Sequence, residues 1–503
     1  MHRLALLLAL AAAPFAAPRT LPVDLDDESA RLAVPAHCAT TEEVPTIFCV
    51  PDTTPDQWPR ASAPEVMGER HTATNARDGR LVVTVRDMQD NARLTPAELD
   101  ARASFDQSRL ARLDAYLQQS VDSQWIAGAV ALVMRDGVVI HEQAVGWRDR
   151  EAREPMRIDA IFRIASQTKA ITSSAIMMLV EEGRIALTDP VSRWLPSFAS
   201  TTVASRADSG RTLTPARRRI TIFDLLTHTA GISYGTEAHV AARYRAAGLG
   251  PAAGFGWYTA DKDEPICTTM DRLGTLPFVA QPGESFVYGY STDILGCVVE
   301  RAGGLPLDRF IASRITGPLG MTDTDFFVPR AKAARLAVVY RSDSTGHAVR
   351  ADTGQRGQGH YVDGPRRSFA GGAGLTSTAR DYARFLEALR LGGSLGGQRV
   401  LSPRSVELMR TNQIGTRYSA DGNGFGLGFA TTDRLGANGF SSVGTFSWGG
   451  AYATVYQVDP QERLVMVLML QLVPSTADVR AKFSTLVYQA LVRRDTLASP
   501  PNP

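Results

Sequence analysis

Apolar and polar positions change rhythm three times along the chain. Behind Arg3, an apolar run from Leu4 to Ala13 has the length and flank of a secretory signal peptide and is too short to span a bilayer. Residues 1–17 are therefore expected to be a signal peptide. From 21 to 95 the periodicity is weak, with prolines at 22, 35, 45, 51, 55, 59 and 64; Gly79–Asp87 (GRLVVTVRD) is the clear strand. Residues 18–95 read as an acidic, Pro-rich extension packed on a main body. From Thr95 the pattern tightens, and Leu110, Leu113 and Leu117 recur at helical spacing. A hairpin follows: GAVALVMR, the turn pair Asp136–Gly137, then VVIHEQAVGW. The far end mirrors it, with YATVYQVD, a turn through Pro460, LVMVLMLQLV and a closing helix from Thr476. Strands gathered at both ends of the region, with helices between, predict an α+β fold: an antiparallel sheet flanked by helices. The main domain is expected over 96–495, with its sheet from about 106–165 and 365–495. A helical insert is expected over about 166–364 and a disordered tail over 496–503.

Composition narrows the function. Hydrophobic residues at 44% and charged residues at 21% fit a globular protein, and a net charge of +2 argues against a nucleic-acid partner. After the first run no stretch approaches 18 uninterrupted apolar residues, so no stable membrane span is expected. Residues 21–100 carry 15 Asp/Glu against 7 Lys/Arg, which marks the front piece as a unit distinct from the basic remainder. Export permits disulfides. Cys38 and Cys49 are close enough in sequence to pair or to remain free, whereas Cys267 and Cys297 read as buried thiols. No CxxC or Cys/His cluster occurs, so neither a metal nor a cofactor is expected.

Lysine is rare, at Lys169, Lys262, Lys332 and Lys482 against 50 arginines. Of these, Lys169 alone has a serine three residues before it, Ser166, at the start of a helix that runs to Gly183. One helical turn puts both side chains on one face. An amine beside a hydroxyl activates a serine without histidine, and the helix N-terminus offers free N–H donors where an oxyanion would form. A capping serine with an exposed lysine would show the same spacing. Gly231-Ile232-Ser233-Tyr234-Gly235 also matches G-x-S-x-G, but an α/β-hydrolase elbow needs a strand before the serine and a histidine late in the chain. LLTHTAG reads as helix into loop, and the last 143 residues hold no histidine. Ser233 is therefore expected to be a loop residue. Ser377 and Asp381 flank a helix start and read as caps, while the preceding GGAG suggests backbone lying close to something.

Five blocks set the context for Ser166: FRIASQTKAITSSAIMMLVEEG, ITIFDLLTHTAGISYG, QPGESFVYGYSTDILGCVVE, SFAGGAGLTSTARDYARFLEAL and FSWGGAYATVYQVDP. In this order they resemble the serine β-lactamase-like superfamily of class C β-lactamases, D-Ala-D-Ala carboxypeptidases and family VIII carboxylesterases, over about residues 100–495. The resemblance implies that Ser166 is the acylated nucleophile and Lys169 its partner. Tyr288 matches the tyrosine base of a Y-x-N motif whose third position here is Tyr290, a rival for the role. His228 falls in a block the family uses structurally, as a hydrogen-bonded scaffold residue. The family's K-T-G is replaced by Trp448-Gly449-Gly450, which exchanges a carboxylate-binding lysine for an apolar wall. By the same resemblance the Ser166 and Ala451 backbone N–H groups form the oxyanion hole. Tyr234, Tyr452, Phe255, Trp257 and Tyr258 lie near the blocks, and the first two with Tyr290 are carried as substrate-binding candidates. The implied function is an exported serine hydrolase of an uncharged carboxylic ester. The alternatives are an amide or D-amino-acid peptide substrate, weak β-lactamase activity, or a non-catalytic protein that binds peptides or cell-wall fragments. The oligomeric state stays open.

Overall fold

The computed structural model describes residues 95–207, 210–250, 262–352 and 358–492, and before them only the backbone of short strands. Two units divide the chain, residues 1–102 and 103–503. In the first, the strand expected around Gly79–Asp87 is Leu81–Thr84, antiparallel to both Thr46–Cys49 and Ala73–Asn75. Cys38 and Cys49 are backbone partners in an antiparallel pair, and their side chains lie outside the described residues. The rest of the expected signal peptide, of the extension and of the tail also lies outside them.

The second unit opens with α1 (Gln107–Asp122), capped by Asp106, whose carboxylate accepts the Arg109 N–H, and buried through Leu110, Leu113 and Leu117. The predicted hairpin follows as β1 (Gly128–Arg135) and β2 (Val138–Asp149). Its turn residues Asp136 and Gly137 have φ of 51° and 77°, the conformation that two-residue hairpins demand. A short β3 (Glu154–Pro155) completes this edge. After α2 (Thr168–Glu181) come the one-turn α3 (Ile222–Leu226), α4 (Ile266–Leu273), α5 (Ser291–Gly303) and α6 (Ala379–Arg390). The chain then returns to the sheet as β4 (Asn423–Phe425), β5 (Ala430–Thr432), β6 (Phe446–Gly449), β7 (Val455–Asp459) and β8 (Leu464–Leu470), and ends on α7 (Val479–Tyr488).

These strands form one antiparallel sheet in the order β3-β2-β1-β8-β7-β6-β5-β4. The pairing of β1 with β8, Leu132 opposite Val467, joins segments over 300 residues apart and closes the two ends of the domain on each other. Every residue of β1 and β8 is buried, so both faces are covered. Val130, Leu132, Val465 and Val467 join the main core with Phe385 and Leu386 of α6. On α2, residues Thr168–Leu179 are all buried, so it is a hub wrapped by other elements and not a surface helix. Among the described residues no helix is long and apolar enough to cross a membrane.

The cysteines correct one expectation. Cys267 on α4 and Cys297 on α5 are not thiols; they form a disulfide with Cα atoms 5.2 Å apart. Their 30-residue separation gave no pairing signal, because only the packing of the two helices brings them together.

Candidate active site

Ser166 sits in a 3₁₀ turn, Ala165–Gln167, that runs into α2. Its side chain lies at the end of a sharp reversal: Ala165 has φ of 43°, a left-handed conformation that costs a non-glycine residue about 1–3 kcal/mol. Packing repays that strain, since Ala165 is buried with Val339, Ala351 and Tyr452. The residue emerges 9% exposed, covered but reachable.

The end of β6 lies against this turn. A Cβ on Gly450 would run into the Ile164 carbonyl oxygen and the Thr454 hydroxyl, so only glycine permits the approach expected of the Gly449–Gly450 pair. At Gly449 a Cβ would stand 3.0 Å from the Thr454 carbonyl oxygen and 3.3 Å from Arg480 Nη1. Gly450→Ala is expected to push Ala451 away from Ser166 and to lower kcat/KM about 100-fold, as a displacement near 1 Å does. Steady-state kinetics beside a melting curve checks this. Wild-type kinetics in a folded variant would show that the close approach is not needed.

Lys169 is 2% exposed. Its Nζ lies 3.3 Å from Ser166 Oγ, 3.1 Å from the Tyr234 hydroxyl and 2.8 Å from the Gly372 carbonyl oxygen. Three uncharged oxygens therefore take up its three hydrogen-bonding directions. As a neutral amine it keeps two N–H donors and turns one lone pair toward Ser166 or Tyr234. The expected proximity of the GGAG backbone to something is resolved here, because Gly372 meets Lys169 and the Gly371 carbonyl accepts the Thr172 hydroxyl at 2.8 Å.

Two tyrosines divide the space above the lysine. The Tyr288 ring stacks over Nζ at 4.7 Å from its centroid, and its hydroxyl accepts the Trp448 Nε1–H at 3.2 Å. Tyr234, carried from the sequence only as a groove aromatic, is the tyrosine whose oxygen meets Lys169. Burial pushes the Tyr234 hydroxyl well above its ordinary range, so it acts as a neutral hydrogen-bonding group. Nothing in the spacing of LLTHTAGISYG distinguishes it from a packing residue.

Two candidates are corrected. Tyr290 is fully buried, its ring edge-on to Tyr234 at 4.8 Å and its hydroxyl accepting the Gly250 N–H at 3.1 Å. It supports Tyr234 from beneath and is neither a substrate contact nor a rival to Tyr288. Tyr452 is buried on the far side of Ala165 and shores up the turn. By contrast Trp448 is half-buried beside Tyr288, at 5.4 Å, and continues into Phe425 and Tyr418. With Phe286 these rings form an aromatic cluster in which Phe425 is buried; Trp448 was expected as an apolar wall and Tyr288 as the base. Phe255, Trp257 and Tyr258 lie outside the described residues.

His228 was expected as a hydrogen-bonded scaffold residue; its backbone does hydrogen-bond, but its ring packs on the aromatics around it. Its backbone carbonyl accepts the Val287 N–H, and the ring lies 4.8 Å from Tyr288. Burial, with the Lys169 charge nearby, holds the imidazole well below its usual range, and the buried Nδ1 has no hydrogen-bond partner. Ser233 is 1% exposed and donates to Glu237 Oε2 at 2.5 Å, in the loop after α3, so it is no nucleophile elbow. Among the described residues no group of three or more His, Cys, Asp or Glu is placed to hold a metal ion.

Known proteins share this arrangement. The family model described as Beta-lactamase matches residues 113–489. Esterase EstB of Burkholderia gladioli is 35% identical over 393 residues, covering 75% of this chain and 94% of its own. Among solved structures, EstCE1, a hydrolase with promiscuous acyltransferase activity, superposes with a TM-score of 0.62 at 28% identity, over 76% of this chain and 98% of its own. Simvastatin synthase (LovD) from Aspergillus terreus, unliganded, gives 0.63 at 25% identity, over 76% and 97%.

Proposed function

The chain belongs to the β-lactamase family, as a serine hydrolase of the carboxylesterase-like kind, and we propose that it is exported and cleaves an uncharged carboxylic ester through an acyl-enzyme on Ser166. The observation that carries this reading is the 3.3 Å contact of Ser166 Oγ with Lys169 Nζ at a helix start. The ester carbonyl lies against the Ser166 and Ala451 N–H groups. Ser166 Oγ bonds to the carbonyl carbon while Lys169 with Tyr288 takes its proton and returns it to the leaving alkoxide. Water then repeats the sequence in reverse and frees the acid, so two modest barriers replace one high one. Trp448 in place of a lysine gives the acyl or alcohol group an apolar wall, which favours neutral substrates. The relative named an esterase supports the ester over the amide or β-lactam alternatives. Arg3 and the apolar run after it support export.

The test is turnover of three matched substrates by the full chain: a neutral aryl ester, the same ester bearing a carboxylate, and a β-lactam. The neutral ester is expected to have the highest kcat/KM. Arg480 stands at the Gly449 edge, so a preference for the carboxylate-bearing ester would reassign that edge as an anion subsite. Faster β-lactam turnover would sink the esterase reading. Intact mass of protein recovered from outside the cytoplasm reads export in the same samples, and retention of residues 1–17 would overturn it.

A further inference from the structure

Asp293 stands on the first turn of α5 and is fully buried. Its Oδ1 accepts the Gly372 N–H at 3.0 Å, across 79 residues of sequence. The carbonyl of that same glycine accepts Lys169 Nζ at 2.8 Å. Gly372 is thus held at both polar ends, by the carboxylate on one side and by the amine on the other. A Cβ there would lie 2.5 Å from Asp293 Oδ2, so only glycine lets the carboxylate rest against the backbone. Asp293 Oδ2 is itself buried with no hydrogen-bond partner. A carboxylate in that state is costly unless a cation nearby compensates. Lys169 is that cation, and its own hydrogen bonds all go to uncharged oxygens.

We propose that Asp293 is a positioning residue for the hydrolysis: through Gly372 it fixes the Lys169 amine at Ser166 and supplies the negative charge that balances it. This rests on the Ser166–Lys169 assignment above. The titratable groups facing Asp293 are Lys169 from α2, Tyr234 from the loop after α3, and Tyr290 on its own turn. Burial pushes the Asp293 carboxyl up to about 6, opposed by the Lys169 charge, and burial raises both phenols. Removing a negative charge makes every neighbouring proton easier to lose.

Asp293→Asn keeps an acceptor for the Gly372 N–H and deletes the charge. The acid limb of kcat/KM is expected to move to lower pH by about 1 unit. Its profile and the wild-type one converge below about 6, where the wild-type carboxyl takes up its own proton. The measurement is the pH profile of kcat/KM on a neutral aryl ester, with the rate of Ser166 labelling by a fluorophosphonate read on the same full-length protein. Asp293→Ser, whose hydroxyl can accept the same N–H without charge, is the second variant. An unchanged profile in either folded variant overturns the proposal, as does failure of both to fold, which would make Asp293 a structural residue only. Failure of wild-type Ser166 to label overturns instead the assignment on which the proposal rests.

Discussion

Replacing Ser166 with alanine is expected to lower kcat/KM on a neutral ester at least about 10⁴-fold and to abolish fluorophosphonate labelling, with the melting temperature close to that of the wild type. The side chain is small, and Lys169, which it meets at 3.3 Å, keeps two other acceptors at 3.1 and 2.8 Å, so little packing is lost. What disappears is the atom that forms the acyl bond, which no neighbour can replace. Ser233→Ala supplies the contrast. That hydroxyl is tied to Glu237 and to the Gly235 N–H, so its loss costs about 1–3 kcal/mol of stability from unpaired buried groups. It should leave kcat near the wild-type value. Peptide mapping of the labelled protein decides the matter: an adduct at position 233, or labelling that survives in Ser166→Ala, would mean that the G-x-S-x-G serine is the nucleophile after all.

Lys169→Met carries the second large expectation, a fall of about 10³-fold in kcat/KM, equivalent to about 4 kcal/mol of transition-state stabilisation. Methionine nearly preserves the volume of a side chain that is 2% exposed, so the effect isolates the amine. Acylation and deacylation should slow together, because one group moves the proton in both. Lys169→Arg should not rescue either step. A guanidinium cannot give up its proton at working pH, and its planar fork does not fit the three directions that Ser166, Tyr234 and Gly372 occupy. Single-turnover burst kinetics separates the two steps. An acylation rate at the wild-type level in folded Lys169→Met would reduce the lysine to a buried structural cation.

Much of this was readable before any coordinates. The hairpin through Asp136–Gly137 was legible because its two turn residues must take positive φ and because alternation around them has period two. The burial of Leu110, Leu113 and Leu117 followed from helical spacing, which is local by nature. That Ser166 and Lys169 share a face was legible for the same reason, but their role as a pair rested on the resemblance carried by the five blocks around them. Even the departure at Trp448-Gly449-Gly450 could be read, since a glycine pair in place of side chains signals close backbone approach. The structure then named what is approached, the Ile164 carbonyl at the nucleophile turn.

Other features had no local signature. The sequence carries Cys267 and Cys297 but not the packing of α4 on α5 that unites them. Aromatic residues were even less informative, because a buried ring and a cleft-lining ring have the same composition and the same neighbours in sequence. Tyr290 and Tyr452 turned out to support the site from behind, while Tyr234 reaches Lys169, and Phe286 and Tyr418 gather around Trp448 with the buried Phe425. Asp293 was unremarked on its helix until Gly372 was brought to it from 79 residues away. By itself, then, the sequence determined what depends on neighbours within a turn or a strand: the elements, the hairpins and the shared face of Ser166 and Lys169. Which distant groups surround that serine, and with what charge, was decided only when folding placed α2, α5, β6 and the Gly371–Gly372 backbone within hydrogen-bonding or van der Waals reach. Hydrogen bonds and desolvation act over a few ångströms of space, whatever the length of chain between the groups.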